Sequence, residues 1–261
     1  MGADRCGSRV YAAVSRKCAQ DIVMYLMGLG AAEFGMTQRS DSDYRALEDR
    51  CRQAESRVAE LAAAEARATH VQQVLLGLRS ANKRMLLDDE PERLMAKVCD
   101  ALTASKAYPA AWAVLADGPG KPVQTCVASG LGERFALLQT GMKAGPMPAC
   151  IERALAEDAV RVVDDPGAEC ANCALAPECT GPAVLLRRLD AGDRVYGVLC
   201  VFAPTAYAHD GEERQLFEEA AADLACALHR AGLTARLQRL EAMASKLPHP
   251  VAALSSDYRY I

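Results

Sequence analysis

Apolar residues recur in alternating steps of four and three along the first third of the chain. The positions that follow this pattern are Leu47, Cys51, Ala54, Val58 and Leu61, then Ala68 and Val71, then Leu75 and Leu78. Mostly charged residues lie between them, and no proline occurs from residue 42 to residue 90. Such a repeat is typical of a coiled coil. We therefore expect residues 41–86 to form a long coiled-coil helix through which the chain forms a parallel homodimer.

Beyond residue 86 the pattern changes to shorter helices and strands. The segment Asp88-Asp89-Glu90-Pro91 combines acidic residues with a proline, which are signals for the start of a helix. Apolar runs bounded by turn residues predict strands at residues 111–116, 123–128, 160–163, 183–189 and 194–202. Helices are predicted at residues 150–157 and 210–240, with little regular structure between Ser129 and Pro148. This order predicts an α+β fold in which a mostly antiparallel sheet is flanked by helices.

Composition narrows the classes of partner. Hydrophobic residues make up 51% of the chain and charged residues 25%, and the net charge is −4. Without a basic excess, binding to nucleic acid is not expected. The longest uncharged stretch, residues 195–209, is shorter than the roughly 20 apolar residues that cross a bilayer. The N-terminus has no signal-peptide pattern, so we expect a cytoplasmic protein without membrane insertion.

Several segments of the second half resemble a GAF domain. These segments are Asp164-Asp165-Pro166, the loop that begins Cys170-Ala-Asn-Cys173, the strand at residues 183–189, and the run from Gly192 to Leu199 that contains Tyr196-Gly197-Val198-Leu199. The resemblance covers residues 87–232 and is greatest to GAF domains of bacterial sensor histidine kinases and diguanylate cyclases. It implies a GAF-like antiparallel sheet that binds a small ligand, a metal or no ligand, and that signals through flanking helices.

The resemblance also implies a division of the chain. The tail, residues 247–261, resembles the first strand of a PAS domain, and the chain is expected to be a fragment of a longer protein. Residues 233–246 are expected to form a connecting helix, and residues 1–40 an N-terminal helical segment of unknown role. The Asn-Lys pair of cyclic-nucleotide-binding GAF domains occurs only at Asn82-Lys83, before the domain, and the chain has no Cys-His pair for bilin attachment.

Cysteines form the one cluster with metal-ligand spacing. The chain has eleven, an odd number that argues against a disulfide scaffold. Cys170, Cys173 and Cys179 lie in one loop, and Cys150 lies in the first turn of the preceding predicted helix. Because thiolates are ligands for zinc and iron–sulfur clusters, these four residues are a candidate metal site. Thiol-based redox sensing and a structural role without metal stay open as alternatives.

The remaining cysteines are expected to be structural, and the sequence contains none of the common catalytic motifs. Cys99, Cys126, Cys200 and Cys226 are expected to be buried small hydrophobes, and Cys51 to lie in the coiled-coil seam. No serine-histidine-aspartate pattern, HExxH, Walker A or GxGxxG motif is present, so no catalytic residue is predicted. The sequence thus favours a sensory module that detects a small-molecule, metal or redox signal and relays it to an output domain outside this chain. The alternatives are a thiol-dependent enzyme of the methionine sulfoxide reductase type and a ligand-free dimerisation module.

Overall fold

The computed structural model describes residues 41–86, 88–144, 147–170, 173, 175 and 181–245. The predictions for residues 1–40, for Cys179 and for the PAS-like tail lie outside the described residues. The chain divides into two compact units, residues 1–70 and residues 71–261. The helix α1, Asp41–Met85, begins in the first unit and ends in the second.

The part of α1 in the first unit carries the predicted polar surface. Asp49 and Arg52 form an ion pair of 2.7 Å on it. Of the predicted seam residues, Leu47, Cys51 and Val58 are half-buried and Leu61 is exposed. The long N-terminal helix is therefore confirmed, with its apolar positions only partly covered.

The end of α1 packs inside the second unit. Its buried residues are Val74, Leu78, Ala81 and Met85. Gly77 permits a close approach to the next helix, since a Cβ there would lie 2.8 Å from the Ser105 hydroxyl oxygen. Leu78, predicted as a seam residue between two chains, instead belongs to the core of its own chain, whereas Leu75 is exposed.

The helix α2, Pro91–Ala104, begins where the acidic residues and proline predicted it. The Glu90 carboxylate accepts hydrogen bonds from the backbone N–H groups of Glu92 and Arg93. Pro91 lacks an N–H at a position where that group would have no partner in the helix. The backbone donors of the first turn are therefore satisfied.

Five strands form one antiparallel sheet. They are β1 Ala111–Leu115, β2 Thr125–Ser129, β3 Arg161–Val163, β4 Ala183–Ala191 and β5 Arg194–Ala203. Their order across the sheet is β2-β1-β5-β4-β3, and Trp112 is paired with Cys200 across β1 and β5. This sheet and its flanking helices confirm the predicted α+β fold, in which an antiparallel sheet is flanked by helices.

The Tyr196-Gly197 step explains the close pairing of β5 with β1. Gly197 has a φ of 153°, which L side chains rarely adopt, and a Cβ there would overlap the Val114 carbonyl oxygen. Only glycine therefore fits at this position of the central strand.

The remaining helices flank the sheet and complete the second unit. They are α3 Arg134–Ala144, α4 Ala149–Ala156, α5 Pro166–Glu169, α6 Thr205–Ala208 and α7 Gly211–Ala244. The helix α3 was not expected, because its amphipathic pattern is weak. It forms where Leu138 and Met142 are buried in the core, a tertiary contact that local periodicity does not report.

The sheet separates two apolar cores because strand side chains alternate between its faces. Leu185, Leu199 and Val201 belong to the core shared with α1, α2 and α7. Leu186, Cys200 and Phe202 belong to the core shared with α3 and α4. Cys99, Cys126 and Cys200 are buried as predicted, whereas Cys226 is exposed on α7. In the described ranges, no helix combines the length and apolar character needed to cross a membrane.

Candidate cysteine site

The helix α4 holds Cys150 against the sheet. Pro148 precedes the helix, and its carbonyl oxygen accepts hydrogen bonds from the N–H groups of Ile151 and Glu152. Cys150 lies in the first turn, with 8% of its surface exposed, in the same core as Cys200. The predicted placement of this thiol at the start of a helix is confirmed.

The loop after β3 brings Cys170 and Cys173 to the same place. In this loop the Cys173 N–H donates to the Cys170 carbonyl oxygen at 2.7 Å, which closes a tight turn. The neighbouring Glu169 carboxylate pairs with Arg153 of α4 at 3.3 Å and with Arg161 of β3 at 2.9 Å. These two ion pairs connect the end of α5 to the elements that flank the site.

The Cys150 and Cys170 sulfurs form a hydrogen-bonded pair. The Cys150 thiol donates to the Cys170 sulfur, and the Cys150 backbone N–H, at the start of α4, donates to it as well. The thiol hydrogen bond, assisted by that N–H and by Arg153, lowers the pKa of Cys170 to about 7. The same bond, together with burial, raises the pKa of Cys150 far above its usual value. Cys170 is therefore the more acidic thiol of the pair and is partly ionised near neutral pH, whereas Cys150 keeps its proton.

A small cavity lies beside this pair. Its volume is about 20 Å³, close to the space that one water-sized molecule occupies. The lining residues are Trp112, Cys150, Val163, Cys170, Cys173, Leu175, Val184, Leu186 and Phe202. The three sulfurs are the only heteroatom-bearing side chains in this lining apart from the Trp112 indole.

The Trp112 indole carries a buried donor at this position. Trp112 is 2% exposed, and its Nε1–H has no hydrogen-bond acceptor among the described residues. Its ring also meets Phe135 of α3 edge to face, with 6.5 Å between the ring centres. This N–H does not reach the cavity, whose accessible wall presents no nitrogen or oxygen atom.

The structure thus brings together three of the four predicted ligands, Cys150, Cys170 and Cys173, on one side of the sheet. Cys179 lies outside the described residues. Within the described part of the chain, no group of three or more His, Cys, Asp or Glu side chains has an arrangement suited to a metal ion. The zinc or iron–sulfur prediction for the four cysteines stays a prediction.

Sequence reasoning missed Trp112 and the ion pairs of Glu169 as parts of this site. The sequence places Trp112, the single tryptophan of the chain, only within the predicted strand at residues 111–116. Its position beside the cysteines follows from the pairing of β1 with β5, which links residues far apart in sequence. No local pattern carries that information.

Comparisons with known proteins return solved structures alone. No family model matches the chain, and no curated protein matches it either. The GAF domain of a protein assigned as a sensor histidine kinase from Pseudomonas syringae pv. tomato is 23% identical. It aligns over 74% of this chain and 97% of its own, with a TM-score of 0.42.

Two further similar structures come from other classes of protein. The GAF domain of a phosphoenolpyruvate-protein phosphotransferase from Coxiella burnetii is 15% identical, over 63% of this chain and 98% of its own, with a TM-score of 0.45. The free methionine-R-sulfoxide reductase from Neisseria meningitidis, in complex with its substrate, is 14% identical. It aligns over 60% of this chain and 89% of its own, with a TM-score of 0.41.

Proposed function

We propose that the chain is a GAF-type sensory module of a signal-transduction protein, with its input at the cysteine-lined cavity and its output along α7. One observation carries this proposal: the cavity and the long helices contact opposite faces of the same two central strands. A change on one face therefore has a short physical route to the other.

The route runs through alternate residues of β4 and β5. Val184 and Phe202 line the cavity, whereas Leu185 and Val201, one step along each strand, pack in the core of α1, α2 and α7. Because close-packed side chains transmit small displacements, a shift of the cavity wall would be felt at these helices.

Polar contacts join the helices on the output side. The Asn82 amide donates to the Asp223 carboxylate at 2.7 Å, and Arg230 donates to the Met85 carbonyl oxygen at 2.6 Å, so that the end of α1 is tied to α7. The Tyr196 hydroxyl and His229 Nδ1 lie 2.7 Å apart and connect β5 to the same helix. These contacts support a helix pair that moves as a unit.

The last turns of α7 carry exposed apolar residues. Leu237 is 61% exposed and Leu240 is 55% exposed, and Leu233 and Met243 are exposed as well. Leu233, Leu237 and Leu240 are spaced by four and three residues, as in a coiled-coil seam. We propose that a second copy of this chain covers this stripe and that the signal passes along it to an output domain outside the chain.

The remaining assignments belong to the same proposal. The segment itself would not be an enzyme, and it would act in the cytoplasm without binding nucleic acid, which the net charge of −4 supports. The sensor histidine kinase or diguanylate cyclase type of the resemblance would then describe the whole protein to which this segment belongs.

Hydrogen exchange of the full chain, with and without a reagent that modifies the cavity thiols, tests the relay. Mild oxidation with diamide is expected to change exchange in the cysteine loop and also along α7 and residues 71–85. A Cys226→Ser variant removes the exposed thiol on α7 and should respond in the same way. A response confined to the loop, with unchanged exchange along α7, would contradict the relay.

The thiol-dependent reductase is the second candidate, and the Cys150–Cys170 pair favours it. A nucleophilic thiolate beside a protonated thiol is the arrangement that such an enzyme needs. The cavity, at about 20 Å³, is however too small for an amino acid substrate. Incubation with free methionine sulfoxide and a thiol reductant distinguishes the reductase from the sensory module. Turnover by the unsubstituted chain that is lost in the Cys170→Ser control would establish the enzyme.

A further inference from the structure

We propose that the cavity is an oxidation site for a small hydroperoxide, at which Cys170 is the thiol that reacts and Cys150 is the thiol that resolves it into a disulfide. This rests on the proposed function only in naming the signal, because the chemistry at the cavity is testable without any relay.

The size of the cavity limits the reactant. Its volume of about 20 Å³ accepts a molecule near the size of water, and Val163, Leu186 and Phe202 make most of its wall apolar. A nucleotide, a tetrapyrrole or an amino acid does not fit in this space. Hydrogen peroxide, with two heavy atoms and no charge, is of the right size and enters an apolar cavity more readily than an ion does.

The Trp112 indole forms part of the cavity wall. Its Nε1–H is buried, and the accessible wall presents no nitrogen or oxygen atom, so a guest meets the ring and not the N–H. The sulfurs of Cys150, Cys170 and Cys173 are therefore the groups of the lining with which a guest can react.

Burial and hydrogen bonding distinguish the roles of the two thiols. Cys170 is partly exposed, and its sulfur lies in hydrogen-bond contact with the thiol and the backbone N–H of Cys150. Cys150 is buried and acts as the donor. The accessible, acceptor sulfur is the one that a peroxide meets first, and the buried one is already in contact with it.

The chemistry proceeds in two balanced steps. The Cys170 thiolate attacks one peroxide oxygen; the S–O bond forms as the O–O bond breaks, and the other oxygen takes a proton and leaves as water or an alcohol. The Cys170 sulfur, now a sulfenic acid, has lost two electrons to the peroxide. The Cys150 sulfur then attacks it, the S–S bond forms as the S–O bond breaks, and the departing hydroxide takes the Cys150 proton and leaves as water.

The disulfide would join the cysteine loop covalently to the first turn of α4. In the reduced protein that connection consists of the thiol hydrogen bond and the ion pairs of Glu169 with Arg153 and Arg161. Oxidation would thus replace exchangeable contacts by a bond at the cavity wall.

Peptide mapping of the reduced full chain after treatment with hydrogen peroxide tests the site. The expected product is a Cys150–Cys170 disulfide, reversed by dithiothreitol. Trp112 is the only tryptophan, so quenching of its emission should follow the same time course. Cys150→Ser is expected to stop the reaction at a Cys170 sulfenic acid that dimedone traps, and Cys170→Ser to abolish both products.

Matched controls guard against loss of fold and against reaction elsewhere. If Cys150→Ser fails to fold because a hydroxyl is buried, Cys150→Ala leaves no polar group and keeps the test. Cys226→Ser, at the exposed thiol of α7, should form the disulfide at the rate of the unsubstituted chain.

Three results would overturn the proposal. The first is a disulfide from Cys170 to Cys173 or Cys179 in place of Cys150, and the second is equal reactivity of Cys170 and Cys226. The third is stoichiometric zinc in the purified chain, with thiols that peroxide oxidises only after chelation. A Cys150–Cys170 disulfide that leaves exchange along α7 unchanged would sustain the oxidation site and contradict the relay alone.

Discussion

At the scale of single residues, one hydrogen bond sets the chemistry of the cysteine site. The Cys150 thiol donates to the Cys170 sulfur, so that one proton serves two sulfurs and the pair contains one nucleophile near neutral pH. Cys99 is buried as well, and there burial raises the pKa of the thiol far above its usual value. Position in the sequence does not distinguish these thiols, but their surroundings do.

The pH dependence of alkylation tests this pair. Iodoacetamide reacts with the thiolate, whose fraction rises as pH increases through the pKa, so the rate at Cys170 is expected to rise with a midpoint at about 7. Cys150→Ala removes the donating thiol and should move the midpoint to higher pH. Mass spectrometry of the Cys170 peptide measures both rates, and an unchanged midpoint in Cys150→Ala would show that the hydrogen bond does not lower this pKa.

A second prediction at this scale concerns Gly197. Gly197→Ala places a methyl group against the Val114 carbonyl oxygen in a backbone conformation that alanine rarely adopts. We expect a loss of at least ~2 kcal/mol in the free energy of unfolding, measured with urea. Gly192→Ala is the matched control, because its φ of 62° is also left-handed but nothing lies within 4 Å of the added carbon. Equal losses in the two variants would exclude the steric contact as the cause.

At the scale of elements, the start of α2 depends on a charged cluster. The Asp88 carboxylate accepts from Lys97 Nζ at 2.7 Å, from the Glu90 N–H at 3.2 Å and from Arg93 Nε at 3.2 Å. The Lys97 contact is the largest of the effects that hold the pKa of Asp88 well below its usual value. The helix therefore begins with an ionised side chain that the folded state favours over the unfolded chain.

The linkage of this pKa to stability predicts an acid-dependent effect. A carboxyl whose pKa is lower in the folded state stabilises the fold above its unfolded value of about 3.9, and the contribution is lost as pH falls below that value. Asp88→Asn should therefore lower the urea midpoint at neutral pH, and the two proteins should converge as acid protonates Asp88. A difference that stays constant down to low pH would show that the effect does not come from this charge.

At the scale of the whole molecule, each long helix carries exposed apolar residues beyond the part that its own core covers. On α7 the buried residues end at Ala231, and the exposed leucines begin at Leu233. In the first unit, α1 likewise leaves Leu61 exposed. An apolar stripe on a charged helix is typical of a helix–helix interface.

The oligomeric state tests the stripe on α7. The double variant Leu237→Glu and Leu240→Glu places two charges in the proposed seam and should weaken association of the full chain by at least tenfold, as light scattering at several concentrations measures. The control Gln238→Glu adds one negative charge at an exposed position of the same turn and should associate as the unsubstituted chain does. If the double variant and the control associate equally, the interface lies elsewhere.

Whether the first unit contributes to association is tested by removing it from the chain. A chain that begins at residue 87 would lose Val74, Leu78 and Met85 from the core, so it would report on folding as well as on association. A chain that begins at Val71 keeps these residues and removes the first unit alone. Weaker association of this shorter chain is expected if the heptad-like repeat from Leu47 to Leu61 contributes to the dimer.

Most elements of this protein are determined by local patterns in its sequence. The repeat from Leu47 onward predicts α1, Glu90-Pro91 predicts the start of α2, and the turn at Gly192 between two apolar runs predicts the β4–β5 hairpin. Each of these signals depends on residues within a few positions of one another, since side-chain period, capping and turn geometry are local properties. The spacing of Cys170 and Cys173 and the position of Cys150 at the start of a helix are local signals of the same kind.

The tertiary structure alone decides which of these elements meet. The pairing of β1 with β5 brings Trp112 beside the cysteines, although three helices and two strands follow β2 in the sequence before β5 begins. The helix α3 forms because Leu138 and Met142 find a core, and Cys226 is exposed because its side of α7 faces away from the sheet. The hydrogen bond from Cys150 to Cys170 likewise joins residues of different elements. Contacts of this kind form between residues that are separated by many positions, because packing closes long loops between them. Local periodicity in the sequence therefore does not predict them.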